Sequence, residues 1–93
     1  MSNCHSSNVI NSFLRKGVRI KFKNGEVRIG LLLNKEIAEK FLNRPLCNAP
    51  YHLIVSSSGN YVPSACTSIA FYKSTVSTIK FLGNISVERE VRP

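Results

Sequence analysis

The sequence predicts a mainly β protein: a small, bent barrel of five strands with an N-terminal helix and an inserted helix. Three observations support this fold class. Apolar and polar residues alternate over short stretches, an Asn-Gly pair joins the first two stretches, and a glycine interrupts the second. No strand–helix–strand rhythm follows, which disfavours a parallel sheet and favours a small barrel.

The chain has 93 residues, the size of one small domain. We predict a single domain over 1–93, with a loose N-terminus at 1–8, an inserted segment at 34–50 and a C-terminal tail at 83–93. A domain of this size buries only about 60–65% of the surface that its unfolded chain exposes. Disulfides, a metal or self-association usually supply the missing stability.

Disulfides and metals have little support in the sequence. The three cysteines Cys4, Cys47 and Cys66 are odd in number, and residues 1–16 hold no apolar stretch typical of a signal peptide. Both features indicate a reducing, cytoplasmic location without structural disulfides. No Cys-x-x-Cys or His-x-x-x-His spacing indicates a zinc site, so we expect no metal and no cofactor. Self-association is the remaining source of stability.

Charge is the strongest compositional feature. Thirteen Lys and Arg residues face five acidic residues, all Glu, which gives a formal net charge of +8. Such an excess attracts polyanions and favours nucleic acid as the partner; an acidic protein or membrane surface, or solubility alone, are the alternatives. No apolar run approaches the roughly 20 residues of a membrane span, so we expect no membrane partner.

The N-terminal segment predicts a short amphipathic helix. Asn8 can cap its start, and Gly17 follows the basic pair Arg15-Lys16 at its end. The apolar residues that share one helical face are Val9, Ile10, Phe13 and Leu14.

Residues 18–33 predict a β-hairpin. In the first strand apolar residues alternate with Arg19, Lys21 and Lys23, so its outer face is wholly basic. Asn24-Gly25 predicts a two-residue turn, since both positions accept a positive φ. Within the second strand a glycine marks a bend or bulge. The apolar residues on one face of this strand are Val27, Ile29, Leu31 and Leu33.

The second half of the chain predicts one helix and three strands. Asn34 can cap a helix that Pro45 ends, with a solvated loop as the alternative. Strands are expected at 51–57, 65–73 and 76–82.

Two motifs in this order resemble the Sm-like family, most closely its bacterial Hfq branch. "FLRKGVRIKFKNGEVRIG" is similar to the family's helix end, basic pair, first strand, Asn-Gly turn and strand-two glycine. Residues 72–79 match the Y-K-H-A-[IV]-S-T signature, with Ser74 in place of the histidine. The likeness covers about residues 9–33 and 51–82; the link at 34–50 and the loop at 56–66 are longer, and Arg28 replaces an apolar residue.

The resemblance implies a homo-oligomeric ring that binds single-stranded, U-rich RNA in RNA chaperoning or post-transcriptional regulation. In this family strands four and five of neighbouring subunits pair, and the turn between them, here residues 72–75, faces the pore. The alternative is a small-barrel protein-interaction or assembly module without a specific RNA role, and the divergent loops leave a viral origin open.

Candidate RNA-binding residues follow from the resemblance and from charge. Lys73 matches the lysine of the pore-side turn, Ser74 stands where the family has its histidine, and Tyr51 matches a base-stacking aromatic. The competing interpretations are a solvated turn lysine and a core tyrosine at the start of a strand. The basic residues expected to hold phosphates are Arg15 and Lys16 at the rim, and Arg19, Lys21 and Lys23 on the first strand.

Catalysis has little support. The sequence contains no Asp, no carboxylate lies near either His in sequence, and Ser74 has no nucleophile-elbow context. We therefore expect a binding protein and not an enzyme.

Overall fold

The computed structural model describes residues 4–85, which form one open antiparallel sheet of six strands. The order across the sheet is β1-β6-β2-β3-β4-β5, so β1 and β5 are its edges. The mainly β class is confirmed, whereas closure into a five-stranded barrel remains a prediction. The strands are β1 Cys4–His5, β2 Gly17–Phe22, β3 Val27–Asn34, β4 Tyr51–Ser56, β5 Cys66–Phe71 and β6 Val76–Gly83.

The N-terminal segment differs from the expected helix and loose terminus. Residues 4–5, expected to be loose, pair with β6, and a 3-10 helix follows at Ser7–Phe13. Ser6 caps this helix in place of Asn8, and Val9 has non-helical backbone angles. The physical reason is composition: Ser, Asn and β-branched residues disfavour an α-helix, and the Ser12 hydroxyl donates to the Val9 carbonyl at 2.6 Å.

The inserted helix is confirmed as α1, Lys35–Leu42. The Asn34 side chain accepts a hydrogen bond from the Ile37 amide at 2.9 Å, and Asn43 ends the helix in the left-handed conformation. Glu39 secures the following turn, because its carboxylate accepts from the Leu46 amide at 2.9 Å.

The β2–β3 hairpin has a three-residue loop, where the sequence predicted two residues with positive φ. The Gly25 amide donates to the Phe22 carbonyl, the Phe22 amide donates to Glu26, and of the Asn-Gly pair only Gly25 has positive φ, at 94°. This is a type I turn closed by a left-handed glycine, which matches the twist of the strands as well as the expected turn would.

Strand β3 contributes to two separate cores. Its residue Leu32 faces the main core, while Leu31 and Leu33 lie on the opposite face under α1. The predicted apolar face of β3 is therefore the outer face of the sheet, and only its second half is buried. The main core contains Ile10, Val18, Ile20, Phe22, Leu32, Leu53, Phe71, Val76 and Ile79.

The glycine of β3 is needed for close backbone packing, and the predicted bulge is absent from its pairing with β2. Pairing with β2 is regular through Gly30, which lies opposite Val18. A Cβ atom at Gly30 would collide with the carbonyl oxygen of Ile54 on β4.

No helix within residues 4–85 has the length and apolar character needed to cross a membrane. The predicted tail at 83–93 lies outside the described residues from position 86 onward.

Candidate nucleic-acid interface

The outer face of β2 and β6 carries three basic side chains, Arg19, Lys21 and Lys80, here called the basic face. Arg19 lies directly opposite Lys80 in the pairing of β2 with β6, and Lys21 lies opposite Thr78. Opposed residues in antiparallel strands place their Cβ atoms about 4.5–5.5 Å apart on one side of the sheet. The basic outer face predicted for β2 is confirmed at Arg19 and Lys21, which are both exposed.

Apolar side chains border the basic face on β3. Ile29 lies opposite Arg19 and Val27 lies opposite Lys21. Their exposed fractions are 54% and 38%, which is high for β-branched residues. The surface thus combines cations with exposed aliphatic side chains.

The turn with Lys73 is a short 3-10 helix, Lys73–Thr75, between β5 and β6. The turn predicted between the last two strands is therefore present. The Lys23 amide donates to the Thr75 carbonyl at 2.9 Å, and the Thr75 hydroxyl donates to the Tyr72 carbonyl at 2.7 Å. These bonds fix the turn to the end of β2, while the Lys73 side chain is exposed.

A cleft of about 610 Å³ lies between the β2–β3 hairpin and the segment 69–75. We call it the hairpin cleft. Arg28, on the core-side face of β3 at its open end, forms an ion pair with Glu26 at 3.3 Å beside this cleft. This position explains how an arginine replaces an apolar residue there. Lys23 and Ser74, two of the predicted RNA-binding residues, also line the cleft.

Tyr51 is half-buried and tied to the main core. Its ring stacks on Phe71 with centroids 5.7 Å apart, and its hydroxyl donates to the Asn11 side chain at 2.7 Å. The hydrogen bond secures the N-terminal 3-10 helix to β4, and the stacking joins β4 to β5, so part of the ring surface is already occupied by protein.

Arg15 and Lys16 lie between the N-terminal 3-10 helix and β2. Arg15 has a positive φ of 70°, and its amide donates to the Leu32 carbonyl. The ammonium of Lys16 lies 6.0 Å from the ring centroid of Phe81, which in turn stacks on Phe13 at 6.3 Å. Lys16 of the predicted rim pair thus lies near a stacked pair of aromatic rings.

His52 is a buried histidine outside these surfaces. Its Nε2 lies 3.1 Å from the Ala49 carbonyl and its Nδ1 lies 2.8 Å from the Ser68 hydroxyl. A carbonyl can only accept, so Nε2 carries the proton and Nδ1 accepts from Ser68. Burial lowers the His52 pKa below its ordinary value, which favours the neutral ring. With both nitrogens engaged, the ring acts as a structural link.

Across residues 4–85, no group of three or more His, Cys, Asp or Glu side chains is arranged to hold a metal ion. Burial raises the pKa of the Cys66 thiol, whereas Cys4 and Cys47 are exposed free thiols.

The eight predicted residues fall into separate groups. Arg19 and Lys21 share the basic face; Lys23, Ser74 and the neighbouring Lys73 surround the hairpin cleft. Arg15 and Lys16 follow the N-terminal 3-10 helix and line neither surface. Tyr51 does not line the cleft, but it connects the cleft residue Phe71 to Asn11 of that helix. The residues that sequence reasoning missed at these surfaces are Arg28, Tyr72, Lys80 and Phe81. Alternation along β6 could have indicated Lys80, but its partner Arg19 depends on strand pairing. Comparison with protein-family models, curated proteins and solved structures returns no match.

Proposed function

We propose that this protein binds single-stranded RNA through the basic face of β2 and β6. The observation that carries the proposal is the register that sets Lys80 directly opposite Arg19. Like charges directly opposed on neighbouring strands destabilise a sheet. A bound phosphate backbone supplies the opposite charge and offsets that repulsion. Selection for binding accounts for such a pair better than selection for stability does.

Preference for single strands is supported by what surrounds the basic face. Ile29 and Val27 are exposed beside it. Two exposed aromatic residues lie elsewhere on the sheet: Phe81 on the opposite face, paired with Val18 and near Lys16, and Tyr72 in the hairpin cleft. Nonspecific single-strand binders combine a cationic surface with rings on which bases stack. The preference for U-rich RNA, and a role in chaperoning or regulation, come from the resemblance to the Hfq branch.

Assembly into an Sm-like ring is the second part of the proposal. Within residues 4–85, strands β5 and β6 do not pair with each other, and β5 is an edge of the sheet. An unpaired edge is a template for a strand from another subunit. On β6, Cys4 and His5 occupy the edge only at Lys80 and Ile79, so a neighbour would pair beside β1 or displace it.

The test of RNA binding is the salt dependence of affinity for a fluorescent uridine strand, measured by anisotropy. Each lost phosphate contact on a single strand reduces the slope by about 0.7. The double variant Arg19→Gln, Lys80→Gln should therefore lower the slope by about 1.4. The matched control Lys40→Gln, Arg44→Gln removes two exposed charges at the end of α1 and should leave the slope near that of the wild type. Equal slopes for the two double variants would contradict the proposal.

The alternative is a protein-interaction or assembly module whose charge serves solubility. The exposed Leu82, at 47%, and the unpaired β5 edge favour this reading. Light scattering at micromolar concentration, with and without the uridine strand, separates the two functions. The ring proposal expects a closed oligomer larger than a tetramer that binds RNA. A monomer or dimer across a tenfold dilution contradicts the ring, and an oligomer indifferent to RNA at moderate salt supports the assembly module.

A further inference from the structure

The hairpin cleft has the size and lining of a small-ligand site. Its volume of about 610 Å³ falls within the range of about 300–1,000 Å³ that such sites occupy. One wall is the end of the β2–β3 hairpin, and the other is the end of β5 with the turn that follows. We propose that this cleft takes up one nucleotide of a bound single strand, with the base inside and its phosphate at the mouth. This inference rests on the proposed RNA-binding function and specifies a site for it.

The interior of the cleft suits a flat, largely apolar base. Phe22 and Phe71 meet edge to face, with centroids 5.4 Å apart, and Ile69 lies beside them. Tyr72 lines the same cleft and is 54% exposed, so much of its side chain remains open for contact. The Ser74 hydroxyl can donate to or accept from the polar edge of a base, whereas the Thr75 hydroxyl, which donates to the Tyr72 carbonyl, can still accept. A duplex would have to release the base before it could enter.

The mouth of the cleft carries the charge for a phosphate. Lys23 and Arg28 contribute two cations against the single carboxylate of Glu26. The Arg28–Glu26 pair is open to solvent, with side chains 48% and 55% exposed, so it is weak. A phosphate can replace the carboxylate and accept two parallel hydrogen bonds from the guanidinium. Glu26 therefore competes with the ligand for Arg28.

The occupant is a nucleotide and not a second copy of the chain, on grounds of charge. An apolar protein side chain seated on Phe71 and Ile69 would leave Glu26 as the single carboxylate for two cations, Lys23 and Arg28. The chain has only five acidic residues against thirteen basic ones, so a second copy is a poor source of that anion.

The experiment titrates the full chain with uridine 5′-monophosphate, followed by amide NMR shifts. We expect shifts at Phe71 and Tyr72, and weaker binding of uridine, which lacks the phosphate. Arg28→Gln should weaken binding of the monophosphate about tenfold or more, because a charge-assisted contact is lost. The matched control Arg44→Gln also removes one exposed arginine charge, but just after α1 and outside the cleft and the basic face, and should change this affinity less than about twofold.

A second variant separates ligand binding from simple stabilisation by the ion pair. Glu26→Gln breaks the same pair while freeing Arg28, so it should tighten monophosphate binding about two- to fivefold. If Arg28 merely supported the fold, Glu26→Gln and Arg28→Gln would weaken binding alike. That outcome would overturn the inference. The variants' amide spectra report directly whether each remains folded.

The outcomes also distinguish this inference from the proposed function. If the monophosphate fails to bind while the uridine strand binds with a steep salt slope, the cleft site is wrong and the basic face stands. If the monophosphate binds and the basic-face double variant keeps its full slope, the cleft stands and the basic face is wrong. The amide shifts of Phe71 and Tyr72 could instead change with protein concentration and not with added nucleotide. That result would identify a second copy of the chain in the cleft and overturn the inference.

Discussion

The two halves of the outer face of β3 differ sharply although they belong to one strand. Leu31 and Leu33 are 1% and 4% exposed under α1, whereas Ile29 is 54% exposed beside Arg19. All have similar apolar side chains and share one side of the sheet. The difference lies in the inserted segment, which covers one half and leaves the half beside the cations bare. Burial along this strand is therefore decided by a neighbouring element, and the uncovered half is available to a partner.

The largest expected effect is a stability contrast within that single face. Leu31→Ala should lower the free energy of unfolding by about 2–5 kcal/mol, because it removes apolar contacts and leaves a cavity. Ile29→Ala should cost less than about 1 kcal/mol, since that side chain is already half in water. Urea unfolding of the two variants measures both values. Similar costs would mean that α1 does not cover the strand as described.

A smaller loss of stability is expected from destabilising α1, the helix that covers Leu31 and Leu33. Asn34→Ala removes the cap on the Ile37 amide and should cost about 1 kcal/mol. Hydrogen exchange should then accelerate in α1 more than in β2. Asn34→Ser retains a capping oxygen and is the control. Uniform acceleration across the sheet would show that α1 unfolds only together with the whole domain.

The smallest expected effect is a loss of stability at acid pH in the region where α1 covers β3. The segment after α1 is held by Glu39, bonded to Leu46, and by His52, bonded to Ala49. Burial lowers the His52 pKa below its ordinary value of 6.5. As the pH falls below 6.5, the histidine is therefore protonated in the unfolded chain before it is protonated in the folded one. The free energy of unfolding decreases as a result. The cost is limited because the Ser68 hydroxyl can turn to accept from a protonated ring.

Glu39 extends the same trend to lower pH. The hydrogen bond from Leu46, reinforced by Lys35, holds the Glu39 pKa below its ordinary value of 4.5. Its contribution is present above that pH and is lost as pH falls toward the lower folded value. Melting curves from pH 7.5 to 3.5 should show both declines. His52→Gln should remove the first, and an unchanged decline in this variant would contradict the assignment.

Two features that depend on residues close together in the sequence were predicted correctly. Alternation placed Arg19 and Lys21 on the outer face of β2, and capping chemistry placed α1 after Asn34. The run Leu31-Leu32-Leu33 is apolar on both sides, so its periodicity could not assign which leucine faces the main core. That choice depends on α1 packing against the sheet.

The candidate site required information that the linear sequence does not contain. Lys80 meets Arg19 and Phe81 meets Phe13 only because β6 returns to pair with β2 near the N-terminal helix. The hairpin cleft likewise joins Arg28 to Tyr72 across the open side of the sheet. Sequence reasoning found Lys23 and Ser74 on either side of this cleft, but it had no means of placing them together.

The facing pair of Arg19 and Lys80 has a consequence for how the protein responds to its ionic surroundings. Dissolved salt screens charges over about 8 Å at physiological ionic strength, a distance longer than the gap between opposed side chains. The repulsion is therefore only partly screened under those conditions, and added salt relieves it further. On the proposed function, salt also competes with RNA for the same cations. Folding and the proposed binding would then respond to salt with opposite signs: the free protein becomes more resistant to unfolding under the conditions that weaken its affinity for RNA.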